Sequence, residues 1–217
     1  MTSKGKTTSL WVVLLSGIFF GILVYKLSQK LQTPSPTPSE ITLNPNEHDI
    51  VFGQDTALLK IYVFANYECP HCRRFFIEEI SQLEDDYLKT GKIQIRIRLI
   101  QETTNPNILQ AYKTITCVQK YGNAEYLHRL LTHNPTIVHT PEFQTIVNEF
   151  IDKHQQIAEC LMTNEATQYL TENKNEFQTL RLKGTPSFVF GKSIVQGFSN
   201  HSQFKQLIDF YLKKNTP

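Results

Sequence analysis

The chain has 217 residues, of which 40% are hydrophobic and 19% are charged. This is enough apolar material for one main folded domain, and it excludes a chain that is disordered throughout. Basic and acidic residues nearly balance, at 22 against 20, and four of the lysines lie in residues 1–31, which contain no acid. The slightly acidic remainder offers no electrostatic surface for nucleic acid, so nucleic-acid binding is not expected.

The amino-terminal segment, residues 1–31, is predicted to hold a transmembrane anchor. The 19 residues from Thr7 to Tyr25 carry no charge, which is close to the roughly 20 residues that a spanning helix needs. A cleaved signal peptide is the alternative, but the small-residue cleavage site that it requires is not evident after Tyr25, so an uncleaved signal-anchor is favoured. Residues 32–47 contain four prolines among Ser, Thr and Asn and predict an extended linker.

From residue 48 onward, short strands alternate with helices. Strands are predicted over 48–54 and 59–66, and a helix is predicted from about Pro70 to Leu88. Helical periods then fill about 106–182, without a strand candidate of comparable strength.

A further strand is predicted over 92–100, between these two helical regions. It alternates Ile or Leu with Gln94, Arg96 and Arg98. Alternation of this kind predicts that the polar side of the strand faces water.

The carboxyl-terminal part returns to strands. Residues 185–190 and 193–197 predict a hairpin that turns at a Gly-Lys pair, and a last helix is predicted over about 202–213. This order predicts an α/β domain over 48–215 with the all-helical stretch inserted in it. Strands joined by a helix in such a fold are expected to be parallel.

The motif Cys69-Pro70-His71-Cys72 lies where the strand over 59–66 passes into a helix. Two cysteines three apart can close a small disulfide ring, and the free N–H groups at a helix amino terminus stabilise a thiolate. Cys69 is therefore predicted to be the exposed attacking thiol and Cys72, one turn on, the buried resolving thiol. Pro70 suits the first helical turn, and a protonated His71 would add positive charge beside Cys69.

Other uses of a Cys-x-x-Cys pair fit less well. A zinc site needs two more ligands at a similar spacing, and Cys117 and Cys160 are isolated. Covalent haem needs a histidine directly after the second cysteine, where Arg73 stands. A purely structural disulfide stays open, while a metal and an organic cofactor are not expected. The remaining histidines show no ligand spacing, and surface or capping roles are expected for them: His48, His128, His133, His139, His154 and His201.

The segments FANYECPHCRRF and RLKGTPSFVFG resemble the DsbA-type thiol:disulfide oxidoreductases of the thioredoxin superfamily, and the likeness runs over about residues 48–213. The resemblance implies a thioredoxin-like fold whose helical insertion packs over the active site. It implies that Cys69 and Cys72 are the redox pair and that Pro186 is the cis-proline facing them. The backbone of Thr185 would then pair with an extended substrate.

One position departs from the family pattern. Relatives often carry a buried acid six residues before the first cysteine, where Val63 stands here. Glu68 is expected to be exposed and is a weak substitute. A reductase or isomerase of the same fold therefore stays open, as does a non-catalytic thioredoxin-fold chaperone. Isomerases of the superfamily generally carry a preceding dimerisation domain, for which residues 32–47 leave no room, and a monomer is expected.

Some DsbA-like relatives also have a second disulfide. Cys117 and Cys160 lie in helical stretches of the insertion, and outside the cytoplasm a bridge between them is expected. Two buried free thiols are the alternative.

The resemblance implies an enzyme that introduces disulfides into reduced exported proteins and is reoxidised by a quinone-linked membrane partner. With residues 7–25 as its anchor, the protein is expected to be a single-pass protein of a bacterial inner membrane. Its catalytic domain is expected in the periplasm, because a lasting disulfide needs an oxidising compartment.

Overall fold

The computed structural model describes residues 41–198 and 200–215, which fold into a mixed five-stranded sheet with helices packed on it. The predicted anchor over 7–25 and the first part of the predicted linker lie outside the described residues. Within the part of the chain that is described, no helix is long and apolar enough to cross a membrane.

Short strands and helices alternate along the described chain. In order, the elements are β1 Ile50–Phe52, β2 Leu59–Ala65, α1 Pro70–Leu83 followed by a π-helical turn Glu84–Leu88, β3 Ile93–Leu99, α2 Pro106–Tyr121, α3 Glu125–His133, a 3-10 turn Pro135–His139, α4 Pro141–Lys153, α5 Gln155–Met162, α6 Glu165–Thr179, β4 Ser187–Phe190, β5 Ser193–Gln196 and α7 His201–Asn215.

The sheet has the strand order β1-β3-β2-β4-β5. Strands β2 and β3 are parallel, with Ile61 opposite Ile95, and the other three pairs are antiparallel. The parallel pair is the one joined by α1, as predicted for strands joined by a helix in an α/β domain. Because α1 follows β2 directly, the carboxyl end of β2 and the amino end of α1 meet at one edge of the sheet.

Both faces of the sheet are covered. One face packs on α1, α7 and the helices between β3 and β4, and its central residues Ile61, Val63 and Ile95 have no exposed surface. Burying a side chain of this size stabilises the fold by about 1.5–3 kcal/mol. The opposite face forms a smaller cluster around Phe64 and Val189, which α6 covers in part through Phe177.

The polar side of β3 differs from its prediction, because it is buried rather than solvated. Gln94 has no exposed surface, and Arg96 and Arg98 are 5% and 3% exposed. Asp49 satisfies both arginines: its Oδ2 accepts from Nε of Arg96 at 2.8 Å and its Oδ1 from Nε of Arg98 at 3.0 Å. An alternating pattern shows that one side of a strand is polar. It does not show whether those polar residues contact water or form buried ion pairs.

The segment before β1 supplies part of this cover. Ile41 is 7% exposed, the Tyr62 hydroxyl donates to the carbonyl of Leu43 at 3.0 Å, and the carbonyl of Asn46 accepts from Arg96 at 2.8 Å. Residues 41–47, the part of the predicted linker that is described, therefore pack on the domain.

Helices α2 to α6 fill Pro106–Thr179, between β3 and β4, and form the helical insertion. Its first helix begins at a polar cap, where the Asn105 side chain accepts from the N–H of Asn107 at 3.0 Å and a proline occupies the first turn. Helix α3 contacts both α1 and β1. This contact brings the insertion against the helix that begins at the cysteine motif.

Candidate active site

The two cysteines of the motif occupy different environments at the start of α1. Cys69 caps the helix in an extended conformation, and Pro70 follows in the first turn. Cys69 is partly exposed, whereas Cys72, one turn into the helix, has no exposed surface. Both thiols are free in this structure.

The Cys69 sulfur is surrounded by polar groups. Its Sγ donates to the carbonyl of Thr185 at 3.2 Å. Partial burial by itself raises the pKa of the Cys69 thiol. Hydrogen bonds from the Thr185 side chain and from the N–H of Cys72 lower this pKa. Smaller hydrogen bonds from the Cys72 thiol and the N–H of His71 act in the same direction, and together these bonds outweigh burial. The net result is a lowered pKa. Cys69 is therefore the better nucleophile and the better leaving group of the pair.

The Cys72 thiol shows the opposite effect. Burial raises the pKa of Cys72 to about 12, and the nearby sulfur of Cys69 adds to the rise, against weaker hydrogen bonds that lower it. Cys72 therefore holds its proton at neutral pH. This division of roles is the one that the spacing of the two cysteines predicts.

The loop before β4 lies across from the cysteines. The Thr185–Pro186 peptide bond is cis, as the family resemblance implies. The Thr185 carbonyl faces the Cys69 sulfur, and the Thr185 hydroxyl accepts from the Asn66 side-chain amide at 3.4 Å. The loop and the amino end of α1 are therefore joined through both the sulfur and Asn66.

Most of the other residues singled out around the motif lie at the protein surface. Pro70, His71 and Glu68 are exposed. In this structure His71 acts on Cys69 through its backbone N–H. Val63 has no exposed surface and sits in the middle of β2. Among the described residues, no cluster of three or more histidines, cysteines or acids is placed to hold a metal ion.

Cys117 and Cys160 are joined in the structure by a disulfide, with an S–S distance of 2.00 Å and Cα atoms 5.9 Å apart. The bond ties α2 to α5 within the insertion, and both residues are buried. It leaves the motif cysteines as the two free thiols among the described residues.

Sequence reasoning missed four residues around the motif: Asn66, Tyr67, Tyr112 and His128. Asn66 accepts the N–H of Cys69 at 2.6 Å, and an Asn directly after a strand is a turn signal that could have indicated it. His128, for which a surface or capping role is expected, is 2% exposed and lies inside a helix, so the prediction for it is wrong. His48, at 5% exposed, is also buried, because its Nδ1 reaches the carbonyl of Thr116 at 3.1 Å. No local pattern distinguishes these two histidines from exposed ones.

A profile described as thioredoxin matches residues 45–210, most of the chain. The chain belongs to the thioredoxin family. Within that family it is similar to a probable disulfide bond formation protein D of Bacillus anthracis, which is 22% identical over 181 residues and covers 75% of this chain and 77% of that protein.

Two solved structures of the family share the fold. The catalytic domain of Proteus mirabilis ScsC superposes with a TM-score of 0.61 at 19% identity, covering 79% of this chain and 93% of that one. Oxidised BdbD from Bacillus subtilis superposes with a TM-score of 0.61 at 15% identity, covering 80% and 98%.

An exposed thiol of lowered pKa beside a buried thiol of raised pKa can exchange disulfides in two steps. The first sulfur forms a mixed disulfide with a partner, and the second resolves or forms the internal bond. This thioredoxin-family chain is a thiol:disulfide oxidoreductase.

Proposed function

We propose that this oxidoreductase works as an oxidant, introducing disulfides into reduced exported proteins through Cys69 and Cys72. The observation that carries the proposal is the environment of Cys69, where hydrogen bonds lower the pKa of its thiol. A stabilised thiolate favours the reduced form of the enzyme, and an enzyme with a stable reduced form is a strong oxidant.

The cycle begins with the Cys69–Cys72 disulfide. A substrate thiolate attacks Sγ of Cys69, a mixed disulfide forms, and Cys72 leaves and takes up a proton, consistent with its pKa of about 12. A second substrate thiolate then attacks the substrate sulfur of the mixed disulfide and releases Cys69 as a thiolate. Two electrons pass from the substrate to the enzyme, which ends as the dithiol that the structure holds.

The substrate is placed by the loop before β4. The carbonyl of Thr185 lies 3.2 Å from the Cys69 sulfur, so a substrate cysteine bonded to that sulfur lies against the Thr185 backbone. An extended substrate segment can pair with this backbone as a strand pairs with an edge. Pairing of this kind accepts many sequences, as an enzyme acting on varied exported proteins requires.

The proposed location is a bacterial inner membrane, with residues 7–25 as a single-pass anchor and the catalytic domain in the periplasm. The length of the uncharged stretch supports the anchor, and the Cys117–Cys160 disulfide supports an oxidising compartment. A quinone-linked membrane protein would reoxidise the dithiol. An anchor would raise the effective concentration of such a partner by keeping both proteins in one plane.

A reductase of the same fold is the second candidate. The observation that favours it is Val63, a fully buried apolar residue where relatives often carry a proton-relaying acid. Trapping thiols by alkylation in living cells separates the two roles. A mainly oxidised Cys69–Cys72 pair indicates an oxidant, and a mainly reduced pair indicates a reductant.

The full chain in detergent tests the chemistry. Oxidised protein should convert one equivalent of a reduced dithiol peptide to its disulfide, and Cys69→Ser should abolish the conversion. The Cys117→Ala, Cys160→Ala double variant is the matched control and should retain it, because it leaves the motif untouched. If Cys69→Ser still oxidises the peptide, the role given to Cys69 is wrong.

Membrane attachment has its own test. In a bacterial host, the full chain should stay with the membranes after alkaline carbonate extraction. Its globular part should be digested by protease added outside spheroplasts. A protein that is released by carbonate, or that is protected from protease in intact spheroplasts, contradicts the proposed location.

A further inference from the structure

We propose that Tyr112 and His128, two residues of the helical insertion, are positioning residues for the active site. They hold Tyr67 from both ends and thereby fix the turn of residues 66–69 that presents Cys69. This inference rests on the disulfide exchange proposed above, but its test measures the thiol of Cys69 alone.

Tyr67 lies in the middle of the turn between β2 and α1. Its backbone N–H donates to the Tyr112 hydroxyl at 3.0 Å. Its own hydroxyl is hydrogen-bonded to Nδ1 of His128 at 2.8 Å. Tyr112 belongs to α2 and His128 to α3, so two helices of the insertion hold one residue of the turn.

These contacts are fully enclosed. Tyr67, Tyr112 and His128 are 4%, 1% and 2% exposed. The rings of Tyr67 and Tyr112 meet edge to face at 5.7 Å, and Phe76 of α1 lies 4.7 Å from the His128 ring. A hydrogen bond enclosed in this way is costly to break, because neither partner can turn to water instead.

His128 suits this role because it stays neutral. Burial lowers the pKa of His128 to about 3, with smaller contributions from Arg129 and His133. Its Nε2 and the Thr132 hydroxyl have no hydrogen-bond partner among the described residues, and both residues line a cavity of about 70 Å³ between α1 and α3. Within the described chain, the hydroxyl of Tyr67 is therefore the one hydrogen-bond partner of the His128 side chain.

The turn transmits the position of Tyr67 to the Cys69 sulfur. Asn66, on one side of Tyr67, accepts the N–H of Cys69 at 2.6 Å and donates to the Thr185 hydroxyl at 3.4 Å. Cys69, two residues after Tyr67, donates to the Thr185 carbonyl at 3.2 Å. A shift of Tyr67 would therefore move the Cys69 sulfur away from the Thr185 hydroxyl and from the N–H groups of Cys72 and His71, which stabilise its thiolate.

The experiment measures how fast iodoacetamide alkylates Cys69 in the reduced full chain, as a function of pH. Tyr67→Phe and Tyr112→Phe each remove one hydroxyl and keep the ring. Each should slow alkylation at pH 7 by roughly threefold to tenfold, by the usual effect of one lost buried hydrogen bond. The midpoint of the pH profile should rise accordingly.

Two controls separate positioning from general loss of stability. Tyr126→Phe removes an exposed hydroxyl from the same helix as His128 and should leave the pH profile unchanged. Ile157→Val trims a buried residue of α5 and should lower the unfolding midpoint without moving the profile.

A double-mutant cycle tests the link between Tyr67 and His128. His128→Leu removes the ring nitrogens, and its effect on the alkylation rate should overlap with that of Tyr67→Phe instead of adding to it. His128→Asn, which keeps a hydrogen-bonding atom on the same branch as Nδ1, should restore part of the rate. Additive effects, or profiles that match that of the unaltered chain, would overturn the proposal. Because the assay uses reduced protein and no substrate, its result does not depend on whether the enzyme is an oxidant or a reductant.

Discussion

At the scale of single residues, the active site rests on two thiols with opposite pKa shifts. Hydrogen bonds from Thr185 and from the first turn of α1 overcome burial at Cys69, while burial dominates at Cys72. The difference follows from one helical turn: the first cysteine caps α1, where N–H groups are free, and the second lies inside it.

Alkylation should therefore discriminate between the two cysteines. In the reduced protein between pH 7 and pH 9, iodoacetamide should modify Cys69 and leave Cys72 as a thiol, because the pKa of Cys72 is about 12. Peptide mass spectrometry reads out the result. Equal modification of both residues in folded protein would contradict the assigned roles.

The Thr185 hydroxyl should contribute to the reactivity of Cys69. Thr185→Val keeps the shape of the side chain and removes the hydroxyl that lowers the pKa of Cys69. Alkylation at pH 7 should slow by roughly threefold to tenfold, while Thr185→Ser should retain most of the rate. An unchanged rate in Thr185→Val would assign the lowered pKa to the helix amides alone.

The lowered pKa of Cys69 also links stability to pH. Since the pKa is lower in the folded than in the unfolded protein, its contribution to stability is present above the unfolded value. That contribution is lost as the pH falls through the folded value. The free energy of unfolding of the reduced protein, measured with urea, should therefore rise from pH 5 to pH 9. Cys69→Ser should flatten this rise. A rise of the same size in Cys69→Ser would assign it to other groups.

At the scale of secondary-structure elements, Asp49 joins the segment before β1 to β3 and α6. The carboxylate has no exposed surface and accepts from Arg96, from Arg98 and from the Tyr169 hydroxyl at 2.9 Å. Arg98 also pairs with Glu176 of α6. The Asp49 carboxylate is costly to remove, because two buried guanidinium groups would each lose a counter-charge and the Tyr169 hydroxyl would lose its acceptor.

Asp49→Asn should lower the free energy of unfolding by about 3–5 kcal/mol, measured by urea denaturation. Asp55 provides the control, since its carboxylate lies 3.7 Å from Arg96 with its side chain 88% exposed. Asp55→Asn should cost less than about 1 kcal/mol. If the two variants lose similar amounts of unfolding free energy, burial is not the reason for the contribution of Asp49 to stability.

A second buried acid joins α1 to α7. Glu79 has no exposed surface and its Oε1 lies 3.0 Å from Nδ1 of His201. Burial raises the pKa of Glu79. The hydrogen bond and the electrostatic interaction with His201 lower this pKa, but by less. The stability that a raised pKa confers is fully present below the unfolded value and is lost as the pH rises through the folded value.

Glu79→Gln should therefore remove a loss of stability that the unaltered protein shows as the pH rises from about 4.5. Urea unfolding at pH values between 4 and 8 measures the effect. Glu78→Gln changes the exposed neighbouring acid and should keep the original pH dependence. If Glu79→Gln keeps it too, the buried carboxyl is not its source.

At the scale of the whole molecule, the Cys117–Cys160 disulfide closes a loop of 43 residues within the insertion. A bond across a loop of this length restricts the unfolded chain and stabilises the folded one by about 4 kcal/mol in the chain-entropy treatment. Cys117→Ala with Cys160→Ala should lower the free energy of unfolding by roughly that amount, while Cys69 keeps its alkylation rate. An unchanged stability would show that the bond adds no constraint.

The sequence by itself determined the elements, the parallel pair joined by α1 and the redox motif. These depend on local patterns: alternation for strands, helical period for α1, and a Cys-x-x-Cys pair at a strand-to-helix junction. Glu68 is also exposed, as predicted.

Only the tertiary structure decided the partners of polar residues. The sequence suggests surface positions for Arg96, Arg98 and His128, yet all three are buried. Asp49 binds the two arginines from 47 and 49 residues away along the chain. Tyr67 binds His128 from 61 residues away. A buried polar side chain is stable only where a distant group completes its hydrogen bonds. A local sequence pattern contains no information about that distant group. It therefore predicts where the thiols lie, but not which side chains position them.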